Sequence, residues 1–238
     1  MFFLLIFFFG LAIGSFLNVL ILRIPKGQSI RGRSKCVACQ NTLRWFELVP
    51  LFSYVAFCGK CRSCRAGIAL QYPLVECATG LLFLATYYFS IQHSAFSIVI
   101  LLRDWFFIAV LIILFVQDLR FQILPDIVTL PAIAIAIIFW FIPPFNLQLT
   151  AYNLFATIVG AFFFLLQWLV SRGRWVGGGD IRLGALMGAI VGWPNILLAL
   201  FVAYITGALT GGVLLLLGRV TRKSQMAFGT FLAASTVF

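Results

Sequence analysis

The sequence predicts an all-α polytopic membrane protein of about eight transmembrane helices, with a cytoplasmic zinc-binding loop after the first. Three observations predict it. The chain has 238 residues, 63% hydrophobic and only 10% charged, where a soluble domain carries roughly a quarter charged residues. Apolar runs near bilayer length recur from end to end, without the apolar/polar alternation of barrel strands, so they read as helices. Finally, the charges are clustered between the runs, and five of the six cysteines fall in one polar segment.

Residues 1–22 are apolar up to Arg23 and lack a basic start and a small-residue cleavage site, so they read as a retained first helix. Residues 23–69 are the one long polar segment, and 70–238 form the rest of the membrane domain. Within it the spans fall near 70–91, 98–117, 126–142, 151–170, 180–193, 196–217 and 226–238. The sixth is short, with Gly184, Gly188 and Gly192, and Gly207, Gly211 and Gly212 in the seventh suggest close helix packing.

The net charge of +11 sets the orientation. Nine Lys and Arg lie in the first loop, and further clusters surround Arg120, Arg172, Arg174 and Arg182, and Arg219, Arg222 and Lys223. The segments around 92–97, 143–150 and 193–195 have none. Basic loops stay in the cytoplasm, so the N-terminus is placed outside. The excess of positive charge is thereby accounted for by topology and the lipid bilayer, not by nucleic acid.

Six acids remain: Glu47, Glu76, Asp104, Asp118, Asp126 and Asp180. Acids in or beside spans are costly, so each needs an account. Asp104 pairs with Arg103, Asp126 after Leu124-Pro125 caps a helix, and Glu47 is solvated in the loop. Asp118 ends the third span and Asp180 opens the sixth, both on the cytoplasmic side. Two carboxylates at one depth can share a proton and activate water. Gly177, Gly178 and Gly179 would let an extended substrate come close. Alternatively the two acids neutralise Arg120 and Arg182, or serve an ion-coupled transporter.

Cys36-x2-Cys39 and Cys61-x2-Cys64, with 21 residues between them, have zinc-site spacing. In the cytoplasm, where disulfides are rare, four thiolates around Zn²⁺ are the natural reading. Cys58 also makes a C-x2-C with Cys61, and Cys77 is packing within a span. A closed four-cysteine site is structural, and the lone His93 falls on the opposite side, which argues against a metallopeptidase.

These residues are joined by others in a fixed order. Gly14-Ser15-Phe16-Leu17-Asn18 and Arg23 come first, then Ser34, Trp45, Pro50, Ser53-Tyr54, Gly59-Lys60-Cys61-Arg62 and Tyr72-Pro73-Leu74-Val75-Glu76. Asp118, Ile123-Leu124-Pro125-Asp126, Gly177-Gly178-Gly179-Asp180 and Phe228-Gly229 follow. The chain thus resembles the bacterial prepilin leader peptidases, aspartyl peptidases of the GxGD type. The resemblance implies cleavage of the basic leader of type IV prepilins or pseudopilins, with Asp118 and Asp180 catalytic, in the bacterial inner membrane. It also implies N-methylation of the new terminus with S-adenosylmethionine, for which Lys60, Arg62 and Glu76 are candidate residues or structural charges. The chain departs from that pattern at Val37, Ala227 and Thr230, where prolines are usual, and at Arg182, where lysine is.

Other classes remain as rivals. A transporter would show internal repeats, which are not evident. A membrane-anchored zinc-ribbon module would bind its partner without either aspartate. A presenilin-like protease is disfavoured by Gln117, where a tyrosine would stand.

Overall fold

The structure is a computed structural model describing residues 2–92, 97–142, 147–219, 221 and 226–237. His93, Arg222 and Lys223 lie outside the described residues. Among those described there are nine α-helices: α1 (Phe2–Arg23), α2 (Phe52–Ala56), α3 (Gln71–Gln92), α4 (Ile98–Phe121), α5 (Asp126–Phe139), α6 (Leu147–Ser171), α7 (Gly178–Val191), α8 (Asn195–Leu216) and α9 (Phe228–Val237). The all-helical expectation holds, and each of the eight expected spans corresponds to a helix. Length divides them. α1, α3, α4, α6 and α8 are long and apolar enough to cross a bilayer. α5 and α7 have 14 residues and α9 has 10. At about 1.5 Å per residue they reach roughly 21 and 15 Å, short of the roughly 30 Å apolar layer.

The chain divides into two compact units, residues 1–113 and 114–238, and α4 runs from the first into the second. In the first unit α1 packs along α3. In lipid no hydrophobic force drives two apolar helices together, so close backbone approach and buried polar bonds must hold them. Glycine supplies the approach: a Cβ on Gly10 would lie 2.7 Å from Gly80 Cα, and one on Gly14 would lie 2.7 Å from Glu76 Cα. Buried Asn18 supplies the bond, donating to the Tyr72 carbonyl at 3.2 Å and accepting from Gln71 at 3.3 Å. Trp105 of α4 stacks on Phe83 of α3 and donates to the Phe83 carbonyl and Thr86 Oγ1. Arg103 pairs with Asp104, as expected.

In the second unit α7 is the central element, packed against α5, α6, α8 and α9. Its four neighbours shield a helix too short to span alone, and Leu183, Leu186 and Met187 are fully buried. The approach of α6 and α7 again depends on glycine. A Cβ on Gly188 would meet the Ala156 and Thr157 backbone, and one on Gly160 would overlap the Gly184 carbonyl. The expectation of close helix packing at Gly207, Gly211 and Gly212 is corrected for Gly212, which faces nothing within 4 Å; a Cβ on Gly207 would meet Phe228 and Phe231 of α9 at 3.4 and 3.5 Å, and one on Gly211 the Met226 sulfur at 3.0 Å. The glycines whose Cβ would meet a neighbouring helix's backbone are in α1, α6 and α7. Helical spacing of glycine occurs in both sets, and only the neighbour decides.

Candidate active site and metal centre

The C-terminal end of α4 meets the start of α9, and the start of α7 lies nearby. Asp118, three residues before the end of α4, is 6% exposed. Its Oδ2 accepts the Thr230 backbone N–H at 2.8 Å. Asp180 is in the first turn of α7, half-buried, and its Oδ2 accepts the Gly177 N–H at 3.0 Å. The charge of Asp180 acts on Asp118. Leu124 marks their common surroundings: Cβ atoms built on Gly179 and on Gly229 would lie 2.9 and 3.2 Å from its side chain, and the latter would lie 2.9 Å from Asp118 Oδ2. Two acids 62 positions apart in sequence are thus gathered at one end of the unit.

Arg182, two residues after Asp180, is committed elsewhere. Arg182 forms an ion pair with Asp126, tying the start of α7 to the start of α5. This corrects the capping role expected for Asp126: Pro125 holds the cap position, Asp126 is the first residue of α5, and its carboxylate pairs with Arg182. Glu47 is a capping carboxylate, accepting the Arg44 N–H at 2.6 Å instead of being merely solvated, as Asp180 accepts the Gly177 N–H.

The three glycines separate into two kinds. Gly179 has a packing reason, since a Cβ would press on Leu124 at 2.9 Å. Gly177 and Gly178 are exposed, and the nearest atoms to a Cβ there would be 3.6 Å (Asp180 Oδ2) and 3.8 Å (Arg182) away. Gly177 has ordinary extended torsions, φ −79° and ψ 158°. Neither strain nor this chain's own packing calls for glycine at 177.

In the loop, the Sγ atoms of Cys36, Cys39, Cys61 and Cys64 all lie within 4.8 Å of one another. Four Zn–S bonds of about 2.3 Å make a tetrahedron with edges of roughly 3.8 Å, and the Cys36–Cys64 separation is 3.8 Å. The same turn is built twice. Cys36 N–H bonds the Asn41 carbonyl and Gln40 N–H the Cys36 carbonyl, while Cys61 N–H bonds Ala66 and Arg65 N–H bonds Cys61. Gln40 and Arg65, each just after the second cysteine of its pair, both have φ of 57°. Cys58 is outside the group, which settles the ambiguity of its C-x2-C. The Cys39 backbone N–H, with other donors, lowers the Cys36 thiol to about 7. The Ala66 N–H acts to lower Cys64 too, but burial and the three other thiols outweigh it and push Cys64 up to about 11. Four thiols cannot all ionise side by side unaided, and a divalent cation removes that conflict. The residues fit zinc.

The three candidate methyl-transfer residues each have separate surroundings. Glu76 is buried and its Oε2 accepts the Leu51 N–H at 2.9 Å, holding the loop against α3. Arg62 lies over the Phe46 ring, and Lys60 is exposed beside the second cysteine turn. No hydrogen bond or ion pair joins the three to one another among the described residues. Sequence reasoning missed Gly229 and Thr230 as neighbours of Asp118. It also missed Arg23, whose guanidinium gathers the loop by donating to the carbonyls of Ser29, Arg31 and Arg33.

Two family descriptions match the chain: the bacterial peptidase A24 N-terminal domain over residues 8–90, and the type IV leader peptidase family over residues 105–212. The second contains Asp118 and Asp180 but stops before α9. The prepilin leader peptidase/N-methyltransferase of Bacillus subtilis is 34% identical over 241 residues, covering 98% of this chain and 91% of that protein. That of Pseudomonas aeruginosa is 31% identical, covering 94% and 84%. The Myxococcus xanthus protein of the same name is 36% identical over 89% of this chain, which spans 62% of its length. No solved structure matches. With near-complete coverage at this identity, and with both halves matched in order, the chain belongs to the type IV leader peptidase family.

Proposed function

We propose that this chain is an aspartyl endopeptidase that removes the basic leader of type IV prepilins or pseudopilins at the cytoplasmic face of the bacterial inner membrane. The observation that carries the reading is the gathering of Asp118 and Asp180 at one end of the second unit, with Arg182 committed to Asp126. The orientation, N-terminus outside, is supported by the basic residues. Arg120, Arg172 and Arg219 lie at or just past the C-terminal ends of α4, α6 and α8 in the second unit, and Arg23 lies at that of α1 in the first.

The substrate's apolar segment lies in the bilayer and its leader in the cytoplasm. The scissile peptide crosses the open backbone of Gly177 and Gly178. One ionised aspartate takes a proton from water, whose oxygen bonds to the carbonyl carbon, while the protonated partner donates to the carbonyl oxygen. Collapse of the tetrahedral intermediate breaks the C–N bond, and the proton returns to the leaving amine. The pair titrates as a unit. Helix dipoles, argued from the sequence, would put the resting proton on Asp118, at a helix C-terminus, and not on Asp180, at an N-terminus. The N-terminal turn of α9 also faces Asp118 and acts against that preference.

Purified Asp118→Asn and Asp180→Asn variants are expected to fold and to lose cleavage of a prepilin. Asp126→Asn, which breaks only a part-exposed ion pair worth about 1 kcal/mol or less, retains it. Full activity in either of the first two would falsify the dyad.

The loop carries zinc on four cysteines, and the second activity we assign to this chain is N-methylation of the new terminus, using S-adenosylmethionine. A purely structural loop is the alternative, and one observation favours it: Glu76 is committed to the Leu51 N–H. Incubation with prepilin and labelled S-adenosylmethionine distinguishes them, since a structural loop transfers no label.

A further inference from the structure

The first N–H groups of a helix have no partner within it. In α9, which opens at Phe228, one of these groups is aimed at Asp118. The Thr230 N–H donates to Oδ2 in a buried bond of 2.8 Å, and the Gly229 N–H also acts on the carboxylate. Gly229 makes the approach possible, since a Cβ there would lie 2.9 Å from Oδ2 and 3.0 Å from Cγ. The turn is held from behind as well. The Phe228 ring packs on Tyr204 at 4.9 Å, and Tyr204 donates to Gln167 Oε1 at 2.9 Å.

We propose that the first turn of α9 is a positioning element of the active site: the Thr230 backbone N–H fixes the Asp118 carboxylate, and Gly229 leaves the room for it to do so. The inference rests on the assignment of Asp118 as catalytic. The same device serves Asp180 through the Gly177 N–H. Each aspartate is then held by Oδ2, which leaves its other oxygen to face water and the scissile carbonyl. A carboxylate fixed on one side by a backbone donor cannot swing away from the water it must activate, and small misplacements of reacting groups are costly. Thr230 contributes through its main chain. Its hydroxyl turns away, donating to the Ala227 carbonyl at 2.6 Å. Proline at this position has no N–H to donate.

The test removes the backbone donor, and separate variants control for the side chain. Thr230→Pro is compatible with the first turn of a helix, where the lost N–H has no intrahelical partner. Replacing Thr230 by its α-hydroxy analogue puts an ester oxygen in place of the N–H and keeps the side chain, so it decides the matter if the proline variant does not fold. Both are expected to lower kcat for prepilin cleavage by roughly tenfold, the scale of one lost hydrogen bond to a charged group, with KM within about twofold. Thr230→Ala keeps the N–H and is expected to recover most of that loss. Wild-type kcat in the folded ester variant, with Asp118→Asn inactive, overturns the proposal. So does an equal loss in Thr230→Ala, which would assign the effect to the side chain. Activity in Asp118→Asn overturns the dyad itself, a separate outcome.

Discussion

Gly188→Ala adds one methyl group where two helix backbones touch. The added Cβ would lie 2.6 Å from Thr157 N and nearer still to the Ala156 carbonyl, where ordinary contact begins at 3.4 Å. Backbone on the opposite side cannot rotate out of the way, so α6 and α7 must separate by at least about 0.8 Å. Overpacking of this kind costs about 1–3 kcal/mol, and the upper part of that range applies. Alanine recovers about 1 kcal/mol of helix propensity over glycine. The net loss is about 1–2 kcal/mol, or roughly 2–8 °C in Tm for a chain of this size. Gly212→Ala in α8 makes the same chemical change where a Cβ meets nothing within 4 Å and φ is not left-handed. It should raise Tm by about 2–4 °C, because only the propensity gain is left. Tryptophan-fluorescence melting of the two purified variants in one detergent measures the difference. Activity should divide the same way, since Asp180 rides on α7 and a displacement of about 1 Å can cost roughly 100-fold. Equal Tm values, or Gly188→Ala melting above Gly212→Ala, would refute glycine-mediated contact between α6 and α7.

Two further outcomes concern the first unit. Metal analysis should find about one zinc per folded chain, lost on replacing any of Cys36, Cys39, Cys61 or Cys64 by serine and kept in Cys58→Ser. Adding zinc to the chelated protein should release protons, because thiols held protonated without metal, Cys64 above all, must ionise to bind it; zinc retention in the Cys61→Ser variant would sink the assignment. Glu76→Ala removes the acceptor for the Leu51 N–H while Glu76→Gln keeps one. Alanine should therefore speed protease cleavage within residues 44–58 severalfold and glutamine should not. Equal protection in both would show that this carboxylate does not hold the loop.

What was legible in the sequence, and what was not, follows from the range of each interaction. Helix positions depend on local hydrophobicity, and each expected span found its helix within a few residues. The four-cysteine group is written in two short spacings, and its duplicated turn is a local motif whose backbone follows the same course twice. Whether an apolar stretch of 14 residues crosses the bilayer depends on which neighbours surround it, and composition along α7 does not contain that information. The aspartates could be singled out because acids are so few, and elimination works when six candidates must each be explained.

Partner choice, by contrast, is a tertiary fact. Arg182 is two residues from Asp180 along the chain, yet residues i and i+2 point to different sides of a helix, and its guanidinium reaches Asp126 across to α5. Asp126 in turn looks like a cap by position but is spent on that pair. The same reasoning shows what helix dipoles argued from sequence leave out at Asp118. A carboxylate responds to every helix end that faces it, and the N-terminal turn beside Asp118 belongs to α9, 112 residues further along the chain. One signal for it was present: Thr230 stands where the family resemblance leads one to expect proline. Here the residue with an N–H, at the start of a helix in place of one without, is a backbone donor with an acceptor, the buried carboxylate of Asp118.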